Sequence, residues 1–308
     1  MTVLRTRAPA KVNLGLFVGP VRDSDGRHEL VSVMQSISLA DELTLEVDGG
    51  GGEGADEVIC PGLPGPPEEN LAARALAAFR ERSGWHGPPL RLRVDKRIPL
   101  AAGLAGGSAD AAAALRLAAR ASGVEDPDLM HELAAGLGAD VAAQLRPGRW
   151  LATGAGEQLE PLPAPGGELG LLLLPFAEGL ETACVYRQAD RLAAPRTMAE
   201  LERLRAAVRE QLGAGEPLPG DGELLENDLQ AASVSLCGAI GGALAEVREA
   251  GASHAFVSGS GPTVVGLFAG APGRAALGRA ERSLGSRHPP VIACTLAGER
   301  LGEVFEDR

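Results

Sequence analysis

Aromatic residues and lysines are scarce in this chain of 308 residues. Aromatic side chains make up 3% of it, and only two of its 29 basic residues are lysines, Lys11 and Lys96. Where almost every cation is arginine, a retained lysine indicates a need for a compact charge whose pKa can shift. For Lys96 the alternative is a solvated surface residue. For Lys11 the alternative is an edge-strand lysine that discourages aggregation, and the sequence favours neither interpretation of Lys11 over the other.

Long apolar runs, paired cysteines and excess positive charge are also missing. The longest apolar run, Leu169–Phe176, is too short to cross a bilayer, and the N-terminus lacks the apolar core of a signal peptide. The four cysteines (residues 60, 184, 237 and 294) lack the spacing of a zinc site or a disulfide framework, so we expect free thiols and a cytoplasmic location. The net charge of −12 argues against nucleic-acid and membrane partners. We therefore expect a small-molecule partner, with the chain as a monomer or homodimer.

Strand and helix patterns alternate along the chain and predict an α+β protein with two domains. The proline- and glycine-rich segment 161–167 is the candidate boundary, which gives domains 1–160 and 161–308. Residues 48–67 are predicted to form a surface loop. Strands are predicted at 2–7, 11–18, 31–39, 43–47, 90–94, 169–174, 255–258, 263–268 and 291–296. Helices are predicted at 68–82, 107–122, 127–137, 181–192, 198–211, 227–250 (mostly helical) and 273–284.

Residues 99–115, PLAAGLAGGSADAAAAL, read as a glycine-rich turn that leads into a helix. Its glycines allow the backbone to approach a ligand closely, and Ser108 and Asp110 are expected to cap the helix. A helix N-terminus attracts anions, so phosphate binding is favoured over the alternative of a tight turn that serves packing alone. Neither the Gly-Lys-Ser/Thr ending of a P-loop nor the G-x-G-x-x-G spacing is present.

Three further segments carry polar residues suited to a reactive site. Asp140 follows Gly-Leu-Gly-Ala, where a helix cap is the commoner role and a general base that accepts a hydroxyl proton is the functional one. His28 lies in DGRHEL, and a solvated loop histidine is the favoured interpretation there. Residues 258–263, SGSGPT, form either an ordinary hairpin or a glycine loop pressed against a ligand.

Six segments carry a resemblance to a known family. They are APAKVNLGLFV, DGRHELVSVMQSISLADELTLE, IPLAAGLAGGSADAAAAL, LGADVAAQL, ENDLQ and VSGSGPTVVGLF. Together they resemble the GHMP kinases, which phosphorylate small molecules with ATP. Their order and spacing are similar to those of the 4-diphosphocytidyl-2-C-methyl-D-erythritol kinases, a family within that superfamily that phosphorylates the 2-hydroxyl of its substrate in non-mevalonate isoprenoid precursor synthesis. The resemblance implies a ribosomal protein S5 domain 2-like N-terminal domain, a ferredoxin-like C-terminal domain and an active site in the cleft between them.

The resemblance implies a catalytic pair and an ATP loop. Lys11 and Asp140 match the pair, with Asp140 as base and Lys11 lowering its pKa and orienting the hydroxyl. Ser108 would lie near the phosphates and Mg²⁺, whose protein ligands stay unassigned. Transfer would be direct, because no Ser-His or Cys-His nucleophile is apparent. The ATP loop comprises Pro99, Leu100, Ala101, Ala102, Gly103, Leu104, Ala105, Gly106, Gly107, Ser108 and Ala109.

The resemblance also implies a substrate side, where this chain departs from the family. Asn13 and His28 match residues that hold the substrate, His28 close to the cytosine, and Thr182 and Tyr186 match a Thr and an aromatic near the cytidine. The family usually has Tyr where this chain has Arg27, and Pro-Phe-Phe where it has residues 142–144, Ala-Ala-Gln. These departures motivate one alternative, a GHMP kinase for a different small alcohol. A second alternative is a non-catalytic nucleotide-binding paralogue, although such a protein need not retain both Lys11 and Asp140.

Overall fold

A computed structural model describes residues 2–47, 55–166, 169–218, 222–288, 292–296 and 298–306. Within these ranges the strands form two sheets. The strands are β1 (Thr2–Val21), β2 (His28–Val47), β3 (Glu57–Ile59), β4 (Leu90–Asp95), β5 (Arg149–Thr153), β6 (Gln158–Leu162), β7 (Leu169–Leu174), β8 (His254–Val257), β9 (Val264–Ala269), β10 (Ile292–Thr295) and β11 (Phe305–Glu306). The α-helices are α1 (Leu71–Ser83), α2 (Gly106–Ser122), α3 (Pro127–Leu137), α4 (Ala139–Gln144), α5 (Thr182–Leu192), α6 (Met198–Leu212), α7 (Gln230–Leu236), α8 (Ala239–Glu249) and α9 (Gly270–Gly285).

The first sheet is built around two long strands that the sequence pattern divided wrongly. Its order is β11-β1-β2-β4-β3, with β5 on β2 and β6 on β5. β1 and β2 each run for 20 residues instead of as two short strands. A register shift between Pro9 and Lys11 absorbs the proline, which cannot donate to the ladder. β11 pairs only with Leu4 and Arg5, so the rest of that edge of β1 is open to other segments.

Helices α1 to α4 cover one face of this sheet. Asn70 caps α1 by accepting a hydrogen bond from Ala72 N at 2.8 Å, so the α-helix begins after the predicted residue 68. Its predicted apolar face is confirmed, with Ala75, Leu76 and Phe79 buried. The predicted loop 48–67 contains β3, which pairs in parallel with β4, while residues 48–54 lie outside the described ranges.

The second sheet has the ferredoxin-like arrangement that the resemblance implies. Its four strands are antiparallel in the order β10-β7-β9-β8, the first strand of the unit lying between the last and the third. The helix predicted over 227–250 is interrupted at Cys237 and Gly238, which separate α7 from α8. Residue 291 of the predicted last strand lies outside the described residues.

The two sheets share one hydrophobic cluster. It joins Val12 and Val33 of the first sheet to Leu171 and Val265 of the second, with Leu204 of α6. β6 ends at Leu162 and β7 begins at Leu169, and the division of the chain at residue 160 stays a prediction. Within the described ranges, no helix combines the length and apolar character needed to cross a lipid bilayer.

Candidate active site

A cavity of about 890 Å³ opens between the glycine-rich loop, strands β1 and β2, the start of α4 and helix α5. Its lining brings together segments that are more than two hundred residues apart in the chain. The predicted site residues that line it are Lys11, Asn13, His28, Gly103, Ala105, Ser108, Asp140, Thr182 and Tyr186.

Lys11 and Asp140 meet inside this cavity. Lys11 Nζ lies 3.3 Å from Asp140 Oδ1, and the lysine is only 8% exposed although it stands on an edge strand. The backbone N–H of Lys11 donates to Leu104 O at 3.1 Å, so the glycine-rich loop covers the open edge of β1 at this point. An aggregation-blocking lysine would be solvated, and this one is not. Asp140 is the second residue of α4 and makes no capping bond there.

A chain of buried hydrogen bonds orients the lysine. Lys11 Nζ donates to Asn13 Oδ1 at 2.8 Å, and Asn13 Nδ2 donates to Ser32 Oγ at 2.8 Å. The Ser32 hydroxyl donates its hydrogen to Gly15 O at 2.8 Å, so its oxygen accepts the hydrogen bond from the Asn13 amide. Asn13, predicted to hold the substrate, therefore also holds Lys11. The sequence gives no signal for Ser32, because the contact crosses between strands.

The helix that follows the glycine-rich loop begins one residue earlier than the sequence predicted. α2 starts at Gly106, and Ala105, in the left-handed region at φ 55°, precedes it without a side-chain cap. Ser108 and Asp110 are therefore inside the helix, and their predicted capping role is wrong. The N–H groups of the first turn lack helical partners, and Ser108 faces the cavity beside them. Ala102, Leu104 and Ala109 of the predicted ATP loop are buried instead of lining the cavity.

Lys96 and two aspartates form a buried group behind the loop, so the solvated-surface interpretation of Lys96 is wrong. Lys96 Nζ bonds to Asp41 Oδ2 and, at 2.7 Å, to Asp110 Oδ2. Burial raises the pKa of Asp110 to about 7, Asp41 adds to the rise, and Lys96 opposes it. Burial alone would lower the pKa of Lys96, but the two carboxylates outweigh it and raise that pKa. Asp110 Oδ1 is buried and has no hydrogen-bond partner among the residues that the structure describes.

The second glycine loop, residues 258–263, packs directly on the first. Thr263 Oγ1 donates to Ala102 O at 2.6 Å, and a Cβ on Gly103 would lie 2.5 Å from Gly261 O. Asn227, from the ENDLQ segment, donates through Nδ2 to Val257 O and Gly259 O, both at 2.7 Å. The loop is thus a fixed wall of the cavity, although β8 and β9 also pair as a hairpin.

Helix α5 presents one polar row to the opposite side of the cavity. Thr182, Tyr186 and Asp190 recur every four residues and so share a face, and all three line the cavity. His28 packs against Tyr186 with ring centroids 5.4 Å apart, and its side chain is 9% exposed. The solvated-loop interpretation of His28 is therefore wrong. Asp190 was missed, although its spacing from Tyr186 on a predicted helix was a usable signal.

The two departures from the family pattern have different surroundings. Arg27 lines the cavity and donates to Ala155 O at 2.6 Å, which holds its guanidinium near the mouth. Gln144 is buried and donates to Pro9 O at 2.7 Å, which ties α4 to β1 just before Lys11.

Burial raises the pKa of Tyr186 to about 12, with Asp140 adding to the rise and Arg27 opposing it, so the phenol stays protonated at neutral pH.

Metal ligands are not clustered in the part of the chain that the structure describes. No group there holds three His, Cys, Asp or Glu side chains placed to bind an ion. Mg²⁺ in nucleotide sites is usually held by phosphates and one or two protein oxygens.

Comparisons with known proteins agree with this geometry. Residues 70–148 match the family described as GHMP kinases N terminal domain, and residues 214–288 match GHMP kinases C terminal. A 4-diphosphocytidyl-2-C-methyl-D-erythritol kinase of Anaeromyxobacter dehalogenans is 42% identical over 281 residues, which cover 89% of this chain and 82% of the relative. A protein of the same name from Thermobifida fusca is 41% identical, with 96% of this chain and 98% of the relative covered.

Solved structures give the same result. A crystal structure of 4-(cytidine 5′-diphospho)-2C-methyl-D-erythritol kinase superposes with a TM-score of 0.75 at 33% identity, covering 96% of this chain and 99% of that one. Homoserine kinase from Cytophaga hutchinsonii superposes at 0.71 with 16% identity over 99% and 97% of the two chains, which supports the fold alone. The resemblance carried by the six segments is thus confirmed. The chain is a GHMP kinase and belongs to the 4-diphosphocytidyl-2-C-methyl-D-erythritol kinase family.

Proposed function

We propose that this cleft transfers the γ-phosphoryl group of ATP to the 2-hydroxyl of 4-diphosphocytidyl-2-C-methyl-D-erythritol, with Lys11 and Asp140 as the catalytic pair. The observation that carries the proposal is the 3.3 Å contact between Lys11 Nζ and Asp140 Oδ1 in the cavity beside the glycine-rich loop. The Lys11 ammonium group and the Asp140 carboxylate line the same cavity as Ser108 in the first turn of α2.

The proposed reaction needs one proton acceptor and one fixed cation. The Asp140 carboxylate takes the proton of the acceptor hydroxyl while the hydroxyl oxygen forms the bond to the γ-phosphorus. The bond between that phosphorus and the β,γ-bridging oxygen breaks, and ADP leaves. Lys11, held by Asn13, orients the hydroxyl and stabilises the charge that develops on it. No phosphorylated enzyme residue is required.

The nucleotide would lie on the glycine-rich loop. The free N–H groups at the start of α2 and its positive dipole end suit the phosphates, and Gly103 and Ala105 offer them little steric bulk. Ser108 is the residue we assign to the phosphates and Mg²⁺, because its side chain faces the cavity. Bound Mg²⁺ supplies charge neutralisation at the phosphates.

The proposal extends to the setting of the enzyme. We propose a small-molecule acceptor, a cytoplasmic location, no nucleic-acid partner and a monomer or homodimer. The net charge of −12 supports the exclusion of nucleic acid, because a polyanion would be repelled by the surface as a whole.

A coupled assay of ADP release tests the proposal. The purified protein is given ATP, Mg²⁺ and either the cytidyl substrate or a panel that contains homoserine and mevalonate. We expect turnover with the cytidyl substrate and none above background with the panel. Turnover with another alcohol alone would show that the substrate is assigned wrongly, and nucleotide binding without any turnover would favour a non-catalytic protein.

A further inference from the structure

A second cavity, of about 590 Å³, opens at the other end of β5 from the active site. Ala155 and Gly156, just after β5, line the active-site cavity, whereas Arg149 and Trp150 at its start line the second one. The two cavities share no lining residue among those that the structure describes. A volume of this size is within the range of sites for small molecules, and the proposed reaction uses none of its wall.

Much of the wall of this second cavity is apolar. Leu162, Leu296 and Leu301 line it together with Trp150. The indole N–H of Trp150 donates to the backbone oxygen of Arg146 at 3.1 Å, so its one polar group already has a partner and the ring is left as an apolar surface. The cavity therefore suits the hydrocarbon part of a ligand.

The charged groups of the same wall are all positive. Arg146, Arg149 and Arg300 line the cavity, and none of the described lining residues is Asp or Glu. This distribution is the reverse of the chain as a whole, whose net charge is −12. Arg149 is only 2% exposed, and burial lowers its pKa to about 10. A bound anion would offset the cost of holding this charge away from water.

The hydrogen bonds of Arg149 leave part of its guanidinium group unused. Nε donates to Gln35 Oε1 at 2.7 Å, Nη1 to Glu216 O at 2.6 Å and Nη2 to Pro217 O at 2.8 Å. All three acceptors are neutral, so none of them balances the charge. A guanidinium group has five N–H bonds, and two of these have no acceptor among the described residues. Arg149 therefore retains both the charge and the donors that bind an oxyanion.

We propose that the second cavity is a binding site for a small amphiphilic anion. The hydrocarbon part of the ligand packs on Trp150 and the leucines, and its oxyanion head is held by Arg149 and by Arg300, which is exposed. This inference goes beyond the proposed kinase function and does not depend on it, because the site lies outside the active-site cavity.

Calorimetric titration of the wild type with n-octyl phosphate, below its micelle concentration, tests the site. n-Octyl glucoside has the same chain without the charge, and inorganic phosphate has the charge without the chain. We expect each of these two to bind at least about tenfold more weakly, because each lacks one of the two contacts. Octyl phosphate that does not bind, or that binds no more tightly than either of them, overturns the proposal.

Two variants and one competitor locate the binding. Arg300→Gln should weaken octyl phosphate by about threefold or more, and Arg120→Gln, an exposed arginine outside the cavity, should not change it. Trp85→Phe leaves Trp150 as the only tryptophan, and its fluorescence should respond to the ligand. Saturating ADP should leave the affinity unchanged.

Three results would place the anion elsewhere and overturn the proposal. They are wild-type affinity in Arg300→Gln, binding to which Trp150 fluorescence does not respond, and displacement of octyl phosphate by ADP. The last of these would assign the anion to the glycine-rich loop.

Discussion

The position of Lys11, the proposed catalytic lysine, depends on Ser32, a residue to which it is linked only through Asn13. Ser32 accepts from Asn13, and Asn13 accepts from Lys11, so the position of the ammonium group is set two side chains away. Because displacement of a reacting group by about 1 Å costs on the order of a hundredfold in rate, we expect Ser32→Ala to lower kcat by roughly ten- to a hundredfold. The KM for ATP should not change, since the substitution does not alter the glycine-rich loop. Steady-state kinetics measures both.

A loss of stability accompanies that change and needs a matched control. Ser32→Ala leaves the Asn13 amide without its acceptor, which costs about 1–3 kcal/mol of unfolding free energy. Ser253 also donates to a backbone carbonyl, that of Leu267, but in the second sheet. Ser253→Ala should leave kcat at the wild-type value. If Ser32→Ala also leaves kcat unchanged, the hydrogen-bond chain does not position Lys11.

Asp110 gives the protein a specific dependence of stability on pH. Its pKa is raised from 3.8 to about 7 in the folded chain, so between these values the folded state binds more protons than the unfolded state. The free energy of unfolding therefore falls as pH rises through this window. We expect Asp110→Asn to remove that fall, so that the variant gains on the wild type from about pH 4 to pH 7 and no further above it. Urea unfolding across this range measures the difference.

The control for Asp110→Asn is Asp23→Asn, which removes an acidic charge from an exposed residue. The difference in unfolding free energy between Asp110→Asn and this control should change with pH across the same window. A constant difference would contradict the protonation of Asp110 described above. Asp110→Asn also keeps Lys96 paired with Asp41, so the variant is expected to fold.

The two glycine loops act as one unit because they are in backbone contact. Gly103 has φ +73°, and an added Cβ would lie 2.5 Å from Gly261 O. We expect Gly103→Ala to separate the loops, raise the KM for ATP and lower kcat by at least about tenfold, because the left-handed backbone alone costs roughly 1–2 kcal/mol for alanine. Kinetics and thermal unfolding together detect the change.

Gly242 provides the matched glycine. It lies in the helix α8, and an added Cβ meets nothing within 4 Å. Gly242→Ala should stabilise the protein by about 0.5–1 kcal/mol and leave activity unchanged. Wild-type kinetics in Gly103→Ala would show that contact between the loops is not needed for nucleotide binding.

The sequence predicted elements better than it predicted their limits. The period-two pattern located β1 and β2 but divided each in two, because Pro9 in β1 and the acidic pair Asp41 and Glu42 in β2 look like loop signals. The pairing of β1 with β2 along its length, and with β11 at Leu4 and Arg5, depends on segments that are distant in the sequence. The amphipathic face of α1 and the presence of a helix after the glycine-rich loop were predicted correctly, since both depend on local sequence. The predicted caps of that second helix were wrong, because its first turn begins at Gly106.

Residues that act through distant partners were the hardest to interpret. His28 and Lys96 looked like solvated residues because their partners, Gly19 and Asp41, give no local signal. Lys11 and Asp140 are 129 positions apart, and only the resemblance joined them before the fold did. The order of the six segments was enough to predict the family, which the relatives at 41–42% identity confirm.

Cleft and chemistry depend on both sheets at once. The first sheet supplies Lys11 and Asn13, and the loop between β8 and β9 of the second sheet contacts the glycine-rich loop. The proposed reaction therefore requires the two sheets to stay in contact. The hydrophobic cluster shared by both sheets provides this attachment. The positions of Lys11 and Asn13 relative to the glycine-rich loop therefore depend on both sheets.

The most direct test of this account is single-turnover phosphoryl transfer to the cytidyl substrate in a double-mutant cycle of Lys11→Met and Asp140→Asn. Removal of a general base typically costs about 10²–10⁴-fold, and groups that act together are not additive. We predict that each single variant loses at least about a hundredfold and that the double variant is no slower than Asp140→Asn alone. Either single variant within about threefold of the wild-type rate would contradict the assignment of Lys11 and Asp140 as the catalytic pair.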